Sequence, residues 1–378
     1  PSGRTLVVGQ RAPAPGRPGR ISTTGYRWSV PLGRSRNLLL LTGSVLLLGV
    51  LGVLASSTPD RYVLRVVGDP LASVEVRLVV DAPAPRTLDA YRGLGTWVDS
   101  YDFDPAYVPG DITVAPSDLA DMAAHGVRTL FLQSSRSDRR ATGLVSDPWL
   151  LAEFLLAADR TDMAVVAWYL PKWTSDDEDL DRLLAIDRFS VLGRRFDGLA
   201  VDIEWNRDDL GAIERSHRLV NLSDRLRRTV GGDPLGAIVM PPVITDEINL
   251  AFWPGFPWAE LAPLYDVWLP MAYWSFRTEE HAEPGFYVSQ NIRRLRANLG
   301  DPEAMVHAIG GIGAADGSAI VDPGEPLATI DDLAPFVAAL VSEGAVGGSI
   351  YDWATMGSRS RSLLADLMAG STVGAAGH

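Results

Sequence analysis

The chain has 378 residues, 47% of them hydrophobic and 21% charged, which is enough for one large globular domain with additional segments. It contains no cysteine, and this excludes disulfides, thiol nucleophiles and cysteine-ligated zinc or iron–sulfur sites without arguing against export, since a large core needs no disulfides. Seven arginines (Arg4, Arg11, Arg17, Arg20, Arg27, Arg34, Arg36) and no acid precede residue 59, so a formal net charge of −13 leaves −20 on the rest; a body so acidic argues against nucleic acid as a partner and is neutral on sugars.

Residues 1–36 are rich in Pro, Gly and Arg without a period, and are predicted to be a disordered basic tail. Asn37 to Ala55 is a charge-free apolar run just long enough to span a bilayer. The arginines before it predict a cytoplasmic N-terminal side and an extracytoplasmic remainder. The alternative is a secreted protein cleaved after Val53-Leu-Ala55, although the long basic region favours an uncleaved signal anchor. Residues 56–87 read as a linker and a β-hairpin, with Val-rich runs at Tyr62–Gly68 and Ser73–Asp81 around Gly68-Asp-Pro70.

From Tyr91 onward the pattern is regular. Apolar runs at Gly93–Val98, Val127–Leu132, Ala164–Leu170, Leu199–Trp205, Leu235–Val243, Val267–Trp274, Met305–Ile312 and Val346–Trp353 alternate with helical stretches near 117–125, 148–159, 178–195, 210–229, 258–264, 286–298, 330–343 and 360–369. Ser117-Asp118 and Ser175-Asp176-Asp177-Glu178 are good helix starts, and Gly126, Gly300 and Gly344 are good stops. Eight strand–helix units predict an α/β fold, a (β/α)8 TIM barrel over 88–370 with a flexible tail at 371–378; a doubly wound sheet is the fallback.

The fourth run, Phe196-Asp-Gly-Leu-Ala-Val-Asp-Ile-Glu-Trp205, is the one the others surround. Period two sends Leu199, Val201 and Ile203 to one face and Ala200, Asp202 and Glu204 to the other. The two acids would lie roughly 6–7 Å apart along the strand. Paired buried carboxyls titrate apart, as acid catalysis on glycosides requires.

Barrel active sites sit at the C-terminal strand ends. Here those ends carry Trp97 and Asp99 in the first strand, Gln133 in the second, Trp168 and Tyr169 in the third and Asp202, Glu204 and Trp205 in the fourth. Met271, Tyr273 and Trp274 stand in the sixth, and Tyr351-Asp352-Trp353 in the eighth. Acids beside aromatic rings suit sugars, whose C–H faces are apolar. The run Asp176–Asp179 reads as a solvated helix start, and Gly310-Gly-Ile-Gly-Ala-Ala-Asp-Gly317 as the loop after the seventh strand, since it lacks phosphate-loop spacing. The five histidines show no metal spacing, and His307 reads as a satisfied interior residue. No cofactor or metal is expected.

Asp197-Gly-Leu-Ala-Val-Asp202-Ile-Glu204 resembles the D-G-x-D-x-D-x-E signature of family 18 glycoside hydrolases, the chitinase-like barrels, at four of its five specified positions. The fifth is Ala200, where that family has an acid. Met271-Ala-Tyr273 is similar to its M-x-Y, with Trp274 in place of the following acid, and Gly347-Gly-Ser-Ile-Tyr-Asp-Trp353 to its last strand, which ends in a sugar-stacking Trp. The resemblance implies that Glu204 protonates the leaving oxygen and Asp202 orients the substrate's 2-acetamido group. That group attacks the anomeric carbon, while Tyr273 hydrogen-bonds its carbonyl. Family 25 lysozymes are the second resemblance, with Asp99, Asp202, Glu204 and Asp352 in similar positions. Retaining barrels that pair a strand-4 acid with a strand-7 glutamate are a poor match, because strand 7 ends in Gly310-Gly-Ile-Gly313. These readings predict a membrane-anchored glycosidase acting on polysaccharide or oligosaccharide containing N-acetylhexosamine. A glycan-binding barrel without turnover is the alternative, motivated by Ala200 and Trp274.

Overall fold

The computed structural model describes residues 62–67, 73–78, 84–108, 110–204, 210–314, 316 and 326–374. The basic tail, the apolar run 37–55 with its possible cleavage point, Trp205 and residues 375–378 lie outside the described residues. Among the described residues no helix is long and apolar enough to cross a membrane.

Strands β1 (Tyr62–Val67) and β2 (Ser73–Leu78) pair antiparallel, Tyr62 opposite Leu78, as the Val-rich runs predict. The next strands are β3 (Gly93–Val98), β4 (Thr129–Gln133), β5 (Ala164–Tyr169), the short pair β6 (Ser190–Val191) and β7 (Arg194–Arg195), β8 (Gly198–Ile203), β9 (Leu235–Val239), β10 (Val267–Pro270), β11 (Met305–Ala314) and β12 (Gly347–Met356). All but β6 and β7 close into one parallel barrel in chain order, β12 pairing β3. The helices Pro148–Thr161, Asp176–Arg188, Ala212–Val230, Pro284–Leu299, Leu333–Ser342 and Ser358–Ala369 alternate with these strands. Several start as their sequences dictate: Asp147 and Glu283 accept from the first free N–H groups, each just before a proline at N1.

Two segments differ from expectation. The helix expected over 178–195 stops at Arg188, because Leu192 (φ +48°) and Gly193 (φ +80°) form a tight turn joining β6 to β7; two consecutive positive φ values are the signature of a type I′ hairpin turn. The glycine run after Ile309 is strand rather than loop, since β11 continues to Ala314. The tail also stays packed further than expected: Val373 lies on the outer core.

Alternation sorts the barrel strands into two cores. In β8, Leu199, Val201 and Ile203 join the layer between barrel and helices, while Ala200 joins an interior cluster with Trp97, Phe131, Val166, Trp168, Ile238, Leu269 and Met271. Tyr91, just ahead of β3, plugs the N-terminal end of that interior. Its hydroxyl donates to the Leu199 carbonyl at 2.9 Å. Gly198 and Gly236 leave its space: a Cβ on Gly198 would stand 2.8 Å from the Tyr91 hydroxyl, and one on Gly236 2.9 Å from the ring. The Asp197 carboxylate accepts from Val165 N–H at 2.8 Å. Asp197-Gly198, two matched positions of the resemblance, therefore serve strand pairing and packing.

Candidate active site

Above this plug a polar relay holds the floor of a cavity. The fully buried His307 has Nδ1 2.9 Å from the Tyr91 carbonyl and Nε2 3.0 Å from Ser349 Oγ. A carbonyl only accepts, so Nδ1 carries the hydrogen and Nε2 accepts from Ser349. Ser349 Oγ in turn accepts from Trp97 Nε1 at 2.8 Å. Burial drives His307 down to about 4, partly offset by the bond to the Tyr91 carbonyl; the ring is neutral and structural, as its sequence position suggests. Trp97 stacks on Phe131 at 4.4 Å between centroids and meets Trp168 edge-on at 5.9 Å.

The cavity over this floor, about 280 Å³, opens at the C-terminal strand ends. It is lined by Trp97 and Asp99 from β3 and its end, Gln133 from β4, Trp168 from β5, Asp202 and Glu204 from β8 and its end, and Met271 and Tyr273 after β10. Eight predicted residues thus share one cavity. Tyr351, Arg136, Leu170, Ile238, Ile309 and Ile312 complete the lining.

Asp202 is buried, and its Oδ1 has no hydrogen-bond partner among the described residues. Burial, and then repulsion from Glu204, push it well above the usual carboxylate range. Burial also raises Glu204, which stays partly exposed to the cavity. Tyr273 is raised by burial and then by the charges of Glu204, Asp202 and Asp352, so its hydroxyl keeps its proton. Two reluctant carboxyls and a phenolic donor meet in one pocket, with Trp168 Nε1 also unpartnered among the described residues. The set can donate a proton, accept an N–H and donate to a carbonyl.

A second acid cluster flanks it. Carboxylate oxygens of Asp99, Asp102 and Asp352 lie within 4.8 Å of one another. Asp99 accepts from Tyr101 N–H at 2.6 Å and from the Tyr351 hydroxyl at 2.8 Å. Asp102 accepts from Asp99 N–H at 3.0 Å, and Asp352 from Thr355 N–H and Oγ1, both at 2.9 Å. Three such acids have the donor chemistry of a hard-cation site. A proton accounts for them equally well: burial, then the charges of Asp352 and Asp99, push Asp102 up to about 8.

Five expectations are corrected. Tyr169 does not face the cavity; it is adjacent to Trp168, strand neighbours face opposite ways, and its hydroxyl donates to Asp179 at 2.5 Å. Asp179 is accordingly buried rather than solvated, and also accepts from Lys172 and Trp173 N–H. Trp274 lies in the outer core, against Phe336 and in the slot left by Gly310 and Gly311. Trp353 is also in the outer core, under the Arg361 guanidinium at 3.7 Å, and offers no face to a sugar in the cavity. The register explains it: Ile312 pairs Tyr351 but Ala314 pairs Met356, so alternation in β12 fails beyond Tyr351. Asp352 does not line the cavity but lies beside Asp99 and Asp102, leaving three of the four acids of the family 25 pattern in it. Tyr351 was legible in principle, sharing the Ser349 face, whereas Arg136 sits in a loop without periodicity.

No family model matches the chain, and no curated protein matches it. Solved structures do. The C-terminal domain of a candidate chitinase from Desulfitobacterium hafniense DCB-2 aligns with a TM-score of 0.50 at 10% identity, over 73% of this chain and 98% of that one. A chitinase-like agglutinin from Robinia pseudoacacia aligns at 0.49 with 13% identity over 72% and 99%. A family 18 chitinase from Cycas revoluta, in complex with (GlcNAc)4, aligns at 0.48 with 12% identity over 73% and 98%. At such identities the likeness is one of fold: the chain forms a chitinase-like parallel barrel.

Proposed function

We propose that the protein is a glycoside hydrolase acting on N-acetylhexosamine-containing glycans, with peptidoglycan or an envelope polysaccharide as its substrate. The observation that carries this reading is Asp202: a buried carboxyl lining the cavity with an unpartnered oxygen, beside a second raised carboxyl. A buried acceptor without a donor is costly, and a substrate acetamido N–H satisfies it. With the acetamido carbonyl held by Tyr273, its oxygen attacks the anomeric carbon as the glycosidic C–O bond breaks. Glu204, whose hold on a proton burial strengthens, gives its proton to the leaving oxygen. Water then opens the cyclic intermediate and returns a proton to Glu204.

Ala200 supports a second reading. It packs in the apolar interior where the resemblance places a third acid, and Asp202 therefore shares no proton with a neighbour at position 200. A barrel so altered holds glycan without cleaving it. The arrangement outside the barrel belongs to the proposal as well: residues 37–55 anchor the chain with the barrel extracytoplasmic, or cleavage near Ala55 secretes it.

Glu204→Gln is expected to abolish release of reducing ends from peptidoglycan and chitooligosaccharides while binding persists. Turnover unchanged in this variant overturns the role of Glu204. Wild-type retention on the polymers without new reducing ends establishes the binding barrel instead.

A further inference from the structure

Three acids, Asp99, Asp202 and Glu204, line the cavity, and among the described residues one cation, Arg136, stands with them. It follows β4 and is held from several sides. Nη2 donates to the Tyr101 hydroxyl at 2.6 Å, and Cζ lies 4.4 Å from the Tyr101 ring centre and 5.4 Å from that of Tyr107. Arg140 covers the same pair of rings, 4.5 Å from Tyr107 and 5.7 Å from Tyr101.

One carboxylate answers both guanidiniums: Asp138 Oδ2 is 3.4 Å from Arg136 Nε and 3.3 Å from Arg140 Nη2. Among the described residues, two cations against this one anion leave a net positive corner at the edge of an acidic cavity. Arg136 Nη1 donates to no described residue, and the side chain is 23% exposed. An arginine stacked on aromatic rings and bonded along one edge presents its remaining N–H groups in a fixed direction, and that planar edge matches a carboxylate. A neutral sugar gives such a charge nothing to neutralise.

We propose that Arg136, oriented by Tyr101 and Tyr107 and reinforced by Arg140, is a specificity-determining residue that takes a carboxylate of the bound glycan, so that the preferred ligand is an anionic N-acetylhexosamine polymer. This rests on the reading of the cavity as a glycan site. The carboxylate comes from a lactyl ether, as on muramic acid, or from a uronic acid.

The test uses the full chain carrying Glu204→Gln, so that turnover plays no part. Binding is measured for three oligosaccharides: neutral N-acetylglucosamine, N-acetylglucosamine alternating with N-acetylmuramic acid, and N-acetylglucosamine alternating with glucuronic acid. Each acidic oligomer is paired with its carboxyl-reduced twin. At least one acidic oligomer is expected to bind about tenfold more tightly than its twin, the scale of one charge-assisted contact, and the oligomer that does so identifies the source. Arg136→Gln is expected to bring that ratio close to one, and Arg136→Lys, which keeps the charge and loses the fork, to leave an intermediate ratio. Thermal melting confirms that each variant is folded, and the lysine variant decides if the glutamine variant is not. Equal binding of every acid and its twin, or a ratio that survives in folded Arg136→Gln, overturns the proposal while leaving the glycan site standing. Failure of every oligosaccharide to bind overturns both.

Discussion

At the N-terminal end of the barrel interior, every polar group singled out has a partner: the Tyr91 hydroxyl has Leu199, His307 has a carbonyl and Ser349, and Ser349 has Trp97. At the C-terminal end the bookkeeping fails. Among the described residues Asp202 Oδ1 and Trp168 Nε1 are buried without partners, and Asp202, Glu204 and Asp102 are acids held above their usual range. The same eight strands build both ends, so the contrast is one of side chains. A satisfied, close-packed end fixes the barrel, and an unsatisfied end is ready for a ligand that supplies the missing donors.

The largest expected effect tests the satisfied end. Tyr91→Ala empties the plug and removes the bond to Leu199, and is expected to cost about 3–5 kcal/mol, the range for deleting a buried aromatic ring. Urea denaturation measures it; a loss below about 1 kcal/mol would mean that the barrel closes without its plug.

Next comes the unsatisfied end. Asp202→Asn removes a buried group that repels Glu204, so folding stability is expected to hold or rise. Turnover is expected to fall about 100-fold, since the amide can turn its NH2 group instead of an acceptor oxygen toward the substrate acetamido N–H. A stability loss as large as that of Tyr91→Ala would abolish the contrast between the two ends.

The third prediction concerns pH. Asp102 keeps its proton in the folded chain up to about 8, whereas an unfolded Asp loses it near 3.9. Its stabilising contribution is therefore complete below about pH 4 and is lost as pH rises to about 8. Asp102→Asn has no proton to lose, so its Tm is expected to rise relative to the wild type from pH 5 to about pH 8 and to level off above that. A Tm difference that stays flat across that range would show that Asp102 is ionised in the folded protein.

Much of the fold was legible because its determinants are local. Alternating apolar runs give strands, and Ser175 starts its helix as expected by accepting from Glu178 N–H. The inward aim of Asp202 and Glu204 follows from period two once Leu199, Val201 and Ile203 are assigned outward. The same rule separates Trp168, which faces in, from Tyr169, which faces out, although both were expected at the barrel mouth. Arg136 was not legible, because a loop residue has no period to read.

The amino-acid sequence by itself determined the eight strand–helix units and the side of β8 on which its acids stand, since both depend on spacing within a few residues. Tertiary structure alone decided which candidates reach the cavity. Trp353 is turned out by a register shift against β11, Trp274 is drawn into a slot between glycines of another strand, and Asp197-Gly198 is taken up by a strand ladder and by the ring of Tyr91. Each of these depends on groups far apart in the chain, whose meeting is set by closure of the barrel and not by any local pattern.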